Sequence, residues 1–212
     1  MYRALFKRFI DIVVSGIGIV VLAVPMLIVA VIIKIDSPGP ILFKQKRVGI
    51  HKAYFNIMKF RSMSTKAPKD MPTHQLANAE SYLTAWQKFM RKSSIDELPQ
   101  LFNIFTGSMS IIGPRPALWN QYDLIEERDK YGANDIKPGL TGWAQINGRD
   151  ELPIDVKARY DGEYVERMGF WFDVKCFFGT IGKVLKHDGV VEGGTNRREE
   201  TSIEEESRNV TE

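Results

Sequence analysis

Two adjacent carboxylates, Asp96 and Glu97, are the residues in this sequence best suited to covalent or acid–base chemistry. Neighbouring side chains on a helix project about 100° apart, so the two acids cannot easily share one proton but can serve two groups of one substrate. Ser94 and Glu97 have the spacing of a capping box, which predicts a helix that begins at about Ile95. A carboxylate at a helix N-terminus is a candidate nucleophile or magnesium ligand. The alternative from local physics is that both acids only cap the helix.

Four cationic side chains are candidates for binding phosphate near these acids: Lys59, Arg61, Arg91 and Arg115. Lys59 and Arg61 end a predicted strand, and Arg91 lies shortly before the acids on a predicted helix. Arg115 stands between two prolines, which stiffen its backbone and favour bidentate contact with a phosphate group. The pattern therefore predicts a site for a phosphorylated substrate.

A glycine-rich turn at residues 137–142, followed by Asn147, Gly148 and Arg149, is a second candidate for a ligand contact. Its glycines permit close approach of the backbone to a ligand, although their spacing fits neither the P-loop nor the dinucleotide fingerprint. The three histidines have no metal-ligand spacing, and the single cysteine excludes an intrachain disulfide. We therefore expect neither a histidine-based metal site nor a cysteine nucleophile.

Residues 12–33 form a run of 22 residues without a charge, which is long enough to cross a hydrocarbon core as a helix. The run is too long for a signal peptide and lacks a suitable cleavage site. Basic residues lie on both flanks, although positive charge normally marks only the cytoplasmic side. Pro25 would bend a helix here, so the segment either spans the bilayer or re-enters the cytoplasmic face. Asp11 would then lie near the interface and pair with Lys7 or Arg8.

The rest of the chain predicts an α+β fold that is mainly helical. Two short strands at residues 41–49 and 53–60 should form a hairpin. Helices are expected over residues 78–92, 95–105, 117–131, 153–168 and 170–186. The last of these combines an aromatic face with lysines, which suits either a bilayer interface or a core helix with a basic outer face.

The net charge is unevenly distributed along the chain. The formal charge is +3 over 212 residues, but the seven Glu and three Arg of residues 192–212 contribute −4, so residues 1–191 carry +7. A basic body indicates anionic partners such as lipid head groups, phosphates or nucleotides, or it serves only solubility. The acidic C-terminal segment is polar and is expected to be disordered.

Together these segments resemble the monotopic phosphoglycosyl transferases, which are bacterial sugar transferases. The matching stretches are residues 58–63, 91–101, 110–116 and 137–142, within a resemblance that extends from about Lys7 to Lys186. The resemblance implies the small, single-domain form of the family, with interfacial amphipathic helices. It implies a re-entrant membrane anchor at residues 1–36, a catalytic domain at residues 37–190 and a tail at residues 191–212. The family breaks the anchor at a Ser-Pro pair, where this sequence has Val24–Pro25.

The resemblance also implies a reaction. Asp96 would attack the β-phosphate of a UDP-sugar, releasing UMP and retaining the phosphosugar. Glu97 would deprotonate or orient undecaprenyl phosphate, which then takes the phosphosugar. Mg²⁺ held by Asp96 would offset the diphosphate charge. For Lys59, Arg91, Arg115 and Arg149 the resemblance implies phosphate or uridine binding, or a role in holding the two acids. Asp161 and Asp173 would form salt bridges within the site.

The resemblance implies a location at the cytoplasmic face of a bacterial inner membrane. The reaction would be the first membrane step of exopolysaccharide, capsule, O-antigen or glycoprotein glycan synthesis. The expected partners of the protein are membrane lipid and downstream glycosyltransferases, with no nucleic acid. One alternative is a glycosyltransferase that moves sugar without its phosphate and releases UDP. Another is a non-enzymatic membrane scaffold for polysaccharide enzymes. Residues 64–90 fit no assigned pattern and are the expected place for sugar selection.

Overall fold

The computed structural model describes residues 2–68, 70, 79–148 and 152–186. In chain order its elements are α1 (Lys7–Val21), α2 (Ala23–Asp36), β1 (Leu42–Val48), β2 (Tyr54–Phe60), α3 (Ala85–Lys92), α4 (Gln100–Thr106), β3 (Ser110–Ile112), α5 (Tyr122–Asp129), β4 (Gly139–Thr141), α6 (Trp143–Ile146), α7 (Ile154–Arg167) and α8 (Phe170–Lys186). The expected mainly helical α+β fold is therefore confirmed. The strands form two small sheets, an antiparallel pair β1–β2 and a parallel pair β3–β4.

The N-terminal apolar run forms two helices, α1 and α2, whose axes meet at 60°. The break lies at Leu22, three residues before Pro25. Pro25 has no N–H to donate to the carbonyl of Val21, so the helical ladder is interrupted at this turn. Among the described residues, no single helix is long and apolar enough to cross a membrane. The two helices of the bent pair, taken together, have the length and apolar composition of a membrane span.

Helix α1 buries polar side chains, and both helices of the bent pair expose apolar side chains. Lys7, Asp11 and Ser15 follow each other at helical spacing on α1 and are buried against the rest of the protein. Large apolar side chains of both helices are instead exposed: Phe9, Ile17, Val20, Val21, Val24, Leu27, Ile28, Val31 and Ile35. This arrangement is the reverse of that of a surface helix in water.

The buried polar residues of α1 have partners other than those expected. Asp11 accepts hydrogen bonds from the Ser110 hydroxyl at 3.1 Å and the Ile111 amide at 2.9 Å. Lys7 forms an ion pair with Asp173 at 2.6 Å. The expected pairing of Asp11 with Lys7 or Arg8 is therefore wrong, because all three side chains reach elements distant in sequence.

The β1–β2 hairpin has the expected boundaries, and Val48 pairs with Tyr54 across the turn. Its strand β2 packs against α2, because Phe60 shares a hydrophobic core with Met26, Val29 and Ile33. The core also includes Met90 of α3, with Ile95 and Leu98 packed at its edge. The two residues that flank Asp96–Glu97 are thus held by apolar contact with the bent helix pair.

Three helix boundaries differ from those expected. Residues 79–82 form a 3₁₀ turn, and α3 begins only after Thr84, whose side chain makes a capping box with Gln87. The helix expected at residues 117–131 is limited to α5, because Pro114 and Pro116 precede an irregular stretch. The helix expected at 153–168 is present as α7. The helix expected at 95–105 begins later, as described below for the candidate site.

A second core holds the C-terminal helices on the β3–β4 sheet. Ile112, Tyr164, Phe172 and Cys176 are buried together. The opposite side of α8 is exposed, and Trp171 there is 79% accessible. The helix therefore has both a core face and an exposed aromatic face, so neither of the two predicted uses is excluded.

Candidate active site

The two acids lie in a 3₁₀ turn, Ile95–Glu97, and not inside an α-helix. Ser94 adopts a left-handed conformation with φ of 57° and makes no side-chain capping bond. The α4 helix begins only at Gln100, after Pro99. The predicted Ser94–Glu97 capping box is therefore wrong, and the carboxylates are directed to other partners.

Glu97 is the anion of a buried three-residue cluster. Its Oε1 atom accepts hydrogen bonds from Lys59 Nζ at 2.7 Å and from Arg115 Nη2 at 2.9 Å. Burial alone would raise the pKa of Glu97, but Arg115 and Lys59 outweigh it and hold that pKa well below its usual range. Burial also lowers the pKa of Lys59, an effect that the charge of Glu97 opposes. Glu97 thus serves as the counterion of Lys59 and Arg115, which favour its ionised form.

Asp96 has a different environment from its neighbour. The side chain is buried, and its Oδ2 accepts a hydrogen bond from the Ser62 hydroxyl at 3.0 Å. Burial raises the pKa of Asp96, and the charge of Glu97 adds to this rise, while Lys59, Arg91 and the Ser62 hydroxyl oppose it. The result is a poorly solvated carboxylate, which is the state in which a carboxylate is most reactive toward an electrophile.

Asp96 forms part of the wall of a cavity of about 470 Å³. Strand β1 and the segment that follows β2, residues 62–65, 67 and 68, also line it. The cationic side chains among the lining residues are Lys44, Arg47, Lys59, Arg61 and Arg91. A cavity of this size with clustered cations suits a phosphorylated small molecule.

Arg61 holds the backbone beside the cavity that it lines. It is buried, and its Nη1 and Nη2 atoms donate to the carbonyls of Pro38 and Ser37 at 2.7 Å each. These bonds hold the turn that follows α2, where Gly39 has φ of +130° and a Cβ would approach Arg61 to 2.8 Å. Arg61 therefore has a structural role at this turn, and its use in phosphate binding stays a prediction.

Asp161 and Asp173 form ion pairs, as expected, but not in this site. Asp161 accepts two hydrogen bonds from Arg128 at 2.8 and 2.6 Å in a fully buried pair between α5 and α7. Asp173 binds Lys7, and it also accepts hydrogen bonds from the hydroxyls of Tyr2 and Tyr164. Neither acid lines the cavity that contains Asp96. Their predicted place within the site is therefore wrong, since they join helices elsewhere in the domain.

Ser62 and two cations of the hairpin, Lys44 and Arg47, line the cavity but were not predicted as site residues. Ser62 lies two residues after the end of β2 and next to Arg61, so its position beside a predicted site residue was an available signal. Arg47 lines the cavity, and its guanidinium also donates to Gln45 and to the Pro116 carbonyl. Arg149 lies outside the described residues, as do residues 191–212 of the predicted tail.

Within the described part of the chain, no group of three or more His, Cys, Asp or Glu side chains could hold a metal ion. Mg²⁺ commonly binds through one or two carboxylates, with water and substrate phosphates completing its shell. Of the two acids, Glu97 is engaged by Lys59 and Arg115, which leaves Asp96 as the carboxylate able to contribute. The donor set fits a magnesium ion only if substrate phosphate supplies further ligands.

Comparison with known sequences identifies the family of the chain. The profile of the bacterial sugar transferase family matches residues 2–187. The chain therefore belongs to the bacterial sugar transferase family.

Individual relatives have named activities. An undecaprenyl-phosphate glucose phosphotransferase of Komagataeibacter xylinus is 40% identical over 84% of this chain and 36% of its own length. An undecaprenyl-phosphate galactose phosphotransferase of Salmonella typhimurium is 36% identical over 86% of this chain and 41% of its own length. The uncharacterized sugar transferase EpsL of Bacillus subtilis is 36% identical over 88% of this chain and 90% of its own length. The chain thus spans about two-fifths of the relatives that have named substrates.

Proposed function

We propose that this protein transfers a sugar 1-phosphate from a UDP-sugar to undecaprenyl phosphate, with UMP as the second product. The observation that carries the proposal is the buried Asp96 carboxylate, which lies in the wall of a cation-lined cavity and bonds to Ser62. The names of the relatives, which act on undecaprenyl phosphate, support the same donor and acceptor classes.

The proposed reaction has two displacement steps. A carboxylate oxygen of Asp96 attacks the β-phosphorus of the UDP-sugar, and the bond from that phosphorus to the bridging oxygen breaks, so UMP leaves. A phosphate oxygen of undecaprenyl phosphate then attacks the same phosphorus and releases the Asp96 carboxylate. Lys59 and Arg91 stand near Asp96 and offset charge on the phosphoryl oxygens. Magnesium, when bound at Asp96 and the substrate phosphates, would neutralise further diphosphate charge.

Glu97 is proposed to orient cations and not to accept a proton. A general base is most effective when its pKa lies near the working pH, whereas the pKa of Glu97 is held well below its usual range. Its two short bonds instead hold Lys59 and Arg115 in place, and Lys59 lines the same cavity as Asp96. The low pKa of Glu97 disfavours deprotonation of undecaprenyl phosphate, and the other role implied by the resemblance, orientation of that lipid phosphate, stays a prediction.

The acceptor is a membrane lipid, and the bent helix pair supplies a route to it. The exposed apolar side chains of α1 and α2 and the exposed aromatic face of α8 fit burial in a bilayer. We propose that α1 and α2 form a re-entrant anchor at the cytoplasmic face of a bacterial inner membrane. The 60° bend and the basic residues on both flanks support this topology.

Cysteine labelling tests the topology. Two variants are made separately in a Cys176→Ala background, and each carries one exposed thiol. Leu5→Cys lies near the start of the anchor, and Tyr54→Cys lies after its end. In intact cells a re-entrant anchor leaves both thiols unreactive to an impermeant maleimide until the inner membrane is opened. Labelling of either thiol from the periplasm would exclude re-entry.

The donor sugar belongs to the hexoses named for the relatives, glucose and galactose among them. We propose that the lining residues 62–65, 67 and 68 contribute to the choice among them. The product would be the first lipid-linked intermediate of a bacterial surface glycan, which downstream glycosyltransferases then extend.

Nucleotide release tests the function and separates the rivals. Purified protein in lipid nanodiscs is mixed with undecaprenyl phosphate, Mg²⁺ and each of several UDP-sugars. We expect UMP, whereas UDP would indicate transfer of the sugar without its phosphate. Asp96→Asn should abolish UMP release, and Asp155→Asn, which changes an exposed carboxylate of α7, should not. Wild-type protein that is inactive with every UDP-sugar would favour the scaffold.

A further inference from the structure

The Glu97–Arg115 ion pair joins the segments next to α4 and β3, two elements that also pack together through Ile104 and Ile111. Glu97 belongs to the turn that leads into α4, and Arg115 follows strand β3. The pair can form only if α4 and β3 keep a fixed relative position, since its length is 2.9 Å. Both elements pack on α1.

Asp11 holds β3 from the side opposite to β4. Ser110 and Ile112 pair with β4, so the Ile111 amide points to the other edge of the strand. Asp11 is 3% exposed and accepts both the Ile111 amide and the Ser110 hydroxyl. The Asp11 carboxylate thus supplies the hydrogen-bond acceptor that a neighbouring strand would offer to Ile111. Ile111 lies four residues before Arg115.

Arg8 holds the end of α4 in the same way. Its Nη1 and Nη2 atoms donate to the carbonyls of Ile104 and Phe105 at 2.6 and 2.8 Å. These carbonyls belong to the last turn of α4, where the Ile104 carbonyl also accepts the Gly107 amide at 3.0 Å. One turn of α1 therefore carries the contact to α4 and the contact to β3.

We propose that Arg8 and Asp11 are positioning residues, which register α4 against β3 and so hold Arg115 on Glu97 beside Asp96. This inference rests on the proposed function. It makes the polar stripe of the anchor helix a part of the active-site framework, because a displacement of about 1 Å at reacting groups is enough to reduce a rate about a hundredfold.

Paired substitutions test the proposal. Asp11→Ala removes both hydrogen bonds, and we expect kcat to fall about 10- to 100-fold with little change of KM for the UDP-sugar. Asp11→Asn keeps an acceptor oxygen and should recover most of the lost kcat. Ser15→Ala is the matched control, because Ser15 is buried one turn further along the same face but bonds only to carbonyls of α1. A merely structural role would lower the melting temperature while leaving kcat of the folded fraction unchanged.

Arg8→Lys is a second variant that tests the same proposal if Asp11→Ala does not fold. It keeps the charge of a partly exposed side chain but loses the two-pronged contact, so kcat should again fall with KM retained.

Hydrogen–deuterium exchange gives a readout independent of activity. The peptide covering residues 108–118 should exchange faster in Asp11→Ala than in Ser15→Ala or wild type. Unchanged exchange there, or an Asp11→Ala enzyme with wild-type kcat, would overturn the proposal. If the wild type releases no UMP while this peptide responds as expected, the proposed function fails and the positioning contact stands.

Discussion

Replacing Glu97 by Gln isolates the electrostatic role of the buried cluster. Glu97 is 15% exposed and neutralises Lys59, which is 16% exposed, and Arg115, which is 33% exposed. Removal of one partner from a buried ion pair costs about 3–5 kcal/mol, because a charge remains buried without compensation. The partial exposure of Arg115 places Glu97→Gln at the low end, at about 3 kcal/mol. For a domain of this size, that loss lowers Tm by about 6–12 °C.

The assay is thermal unfolding of the purified protein in nanodiscs, with Glu127→Gln as the matched control. Glu127 pairs with Lys130 on the protein surface, so its loss should leave Tm unchanged. Lys59 provides a second readout, since its pKa should fall further once the opposing charge of Glu97 is gone. If Glu97→Gln unfolds at the temperature of Glu127→Gln, the cluster does not hold the site together as described.

Three further predictions concern protonation and packing. The rate of UMP release should fall as pH is lowered through the raised pKa of Asp96, because only the ionised carboxylate attacks, so the acid limb lies above the usual range for Asp. Ser62→Ala should shift that limb to still higher pH in a pH–rate profile, since the hydroxyl favours the ionised form; an unmoved limb would disprove the contact. Asp161→Ala should cost about 3–5 kcal/mol in urea unfolding, and the double variant Arg128→Met/Asp161→Leu should recover most of this loss. A double variant no more stable than the single one would contradict the ion-pair explanation.

Local patterns predicted the elements that depend on local interactions. The hairpin has its predicted boundaries because alternating strand residues and a short turn determine it within about twenty residues. The bend before Pro25 follows from one missing N–H, which is also a local effect.

Long-range contacts account for the failed predictions. Glu97 is drawn away from Ser94 by Lys59, 38 positions earlier, and by Arg115, 18 positions later. Asp173 is paired with Lys7 across 166 positions. A single sequence contains no signal for such partners, so the predicted capping box was reasonable but incorrect. The division into an anchor and a catalytic domain stays a prediction, and α1 packs directly on α4 and β3.

The covalent role of Asp96 is tested most directly by trapping the intermediate. Wild-type protein is incubated with UDP-glucose or UDP-galactose and Mg²⁺ in the absence of undecaprenyl phosphate, quenched and analysed by peptide mass spectrometry. The proposed mechanism predicts one phosphohexose on the peptide that contains Asp96, absent in Asp96→Asn and removed when undecaprenyl phosphate is added. UMP release that requires both substrates together, with no adduct on this peptide in a protein active in transfer, would contradict it.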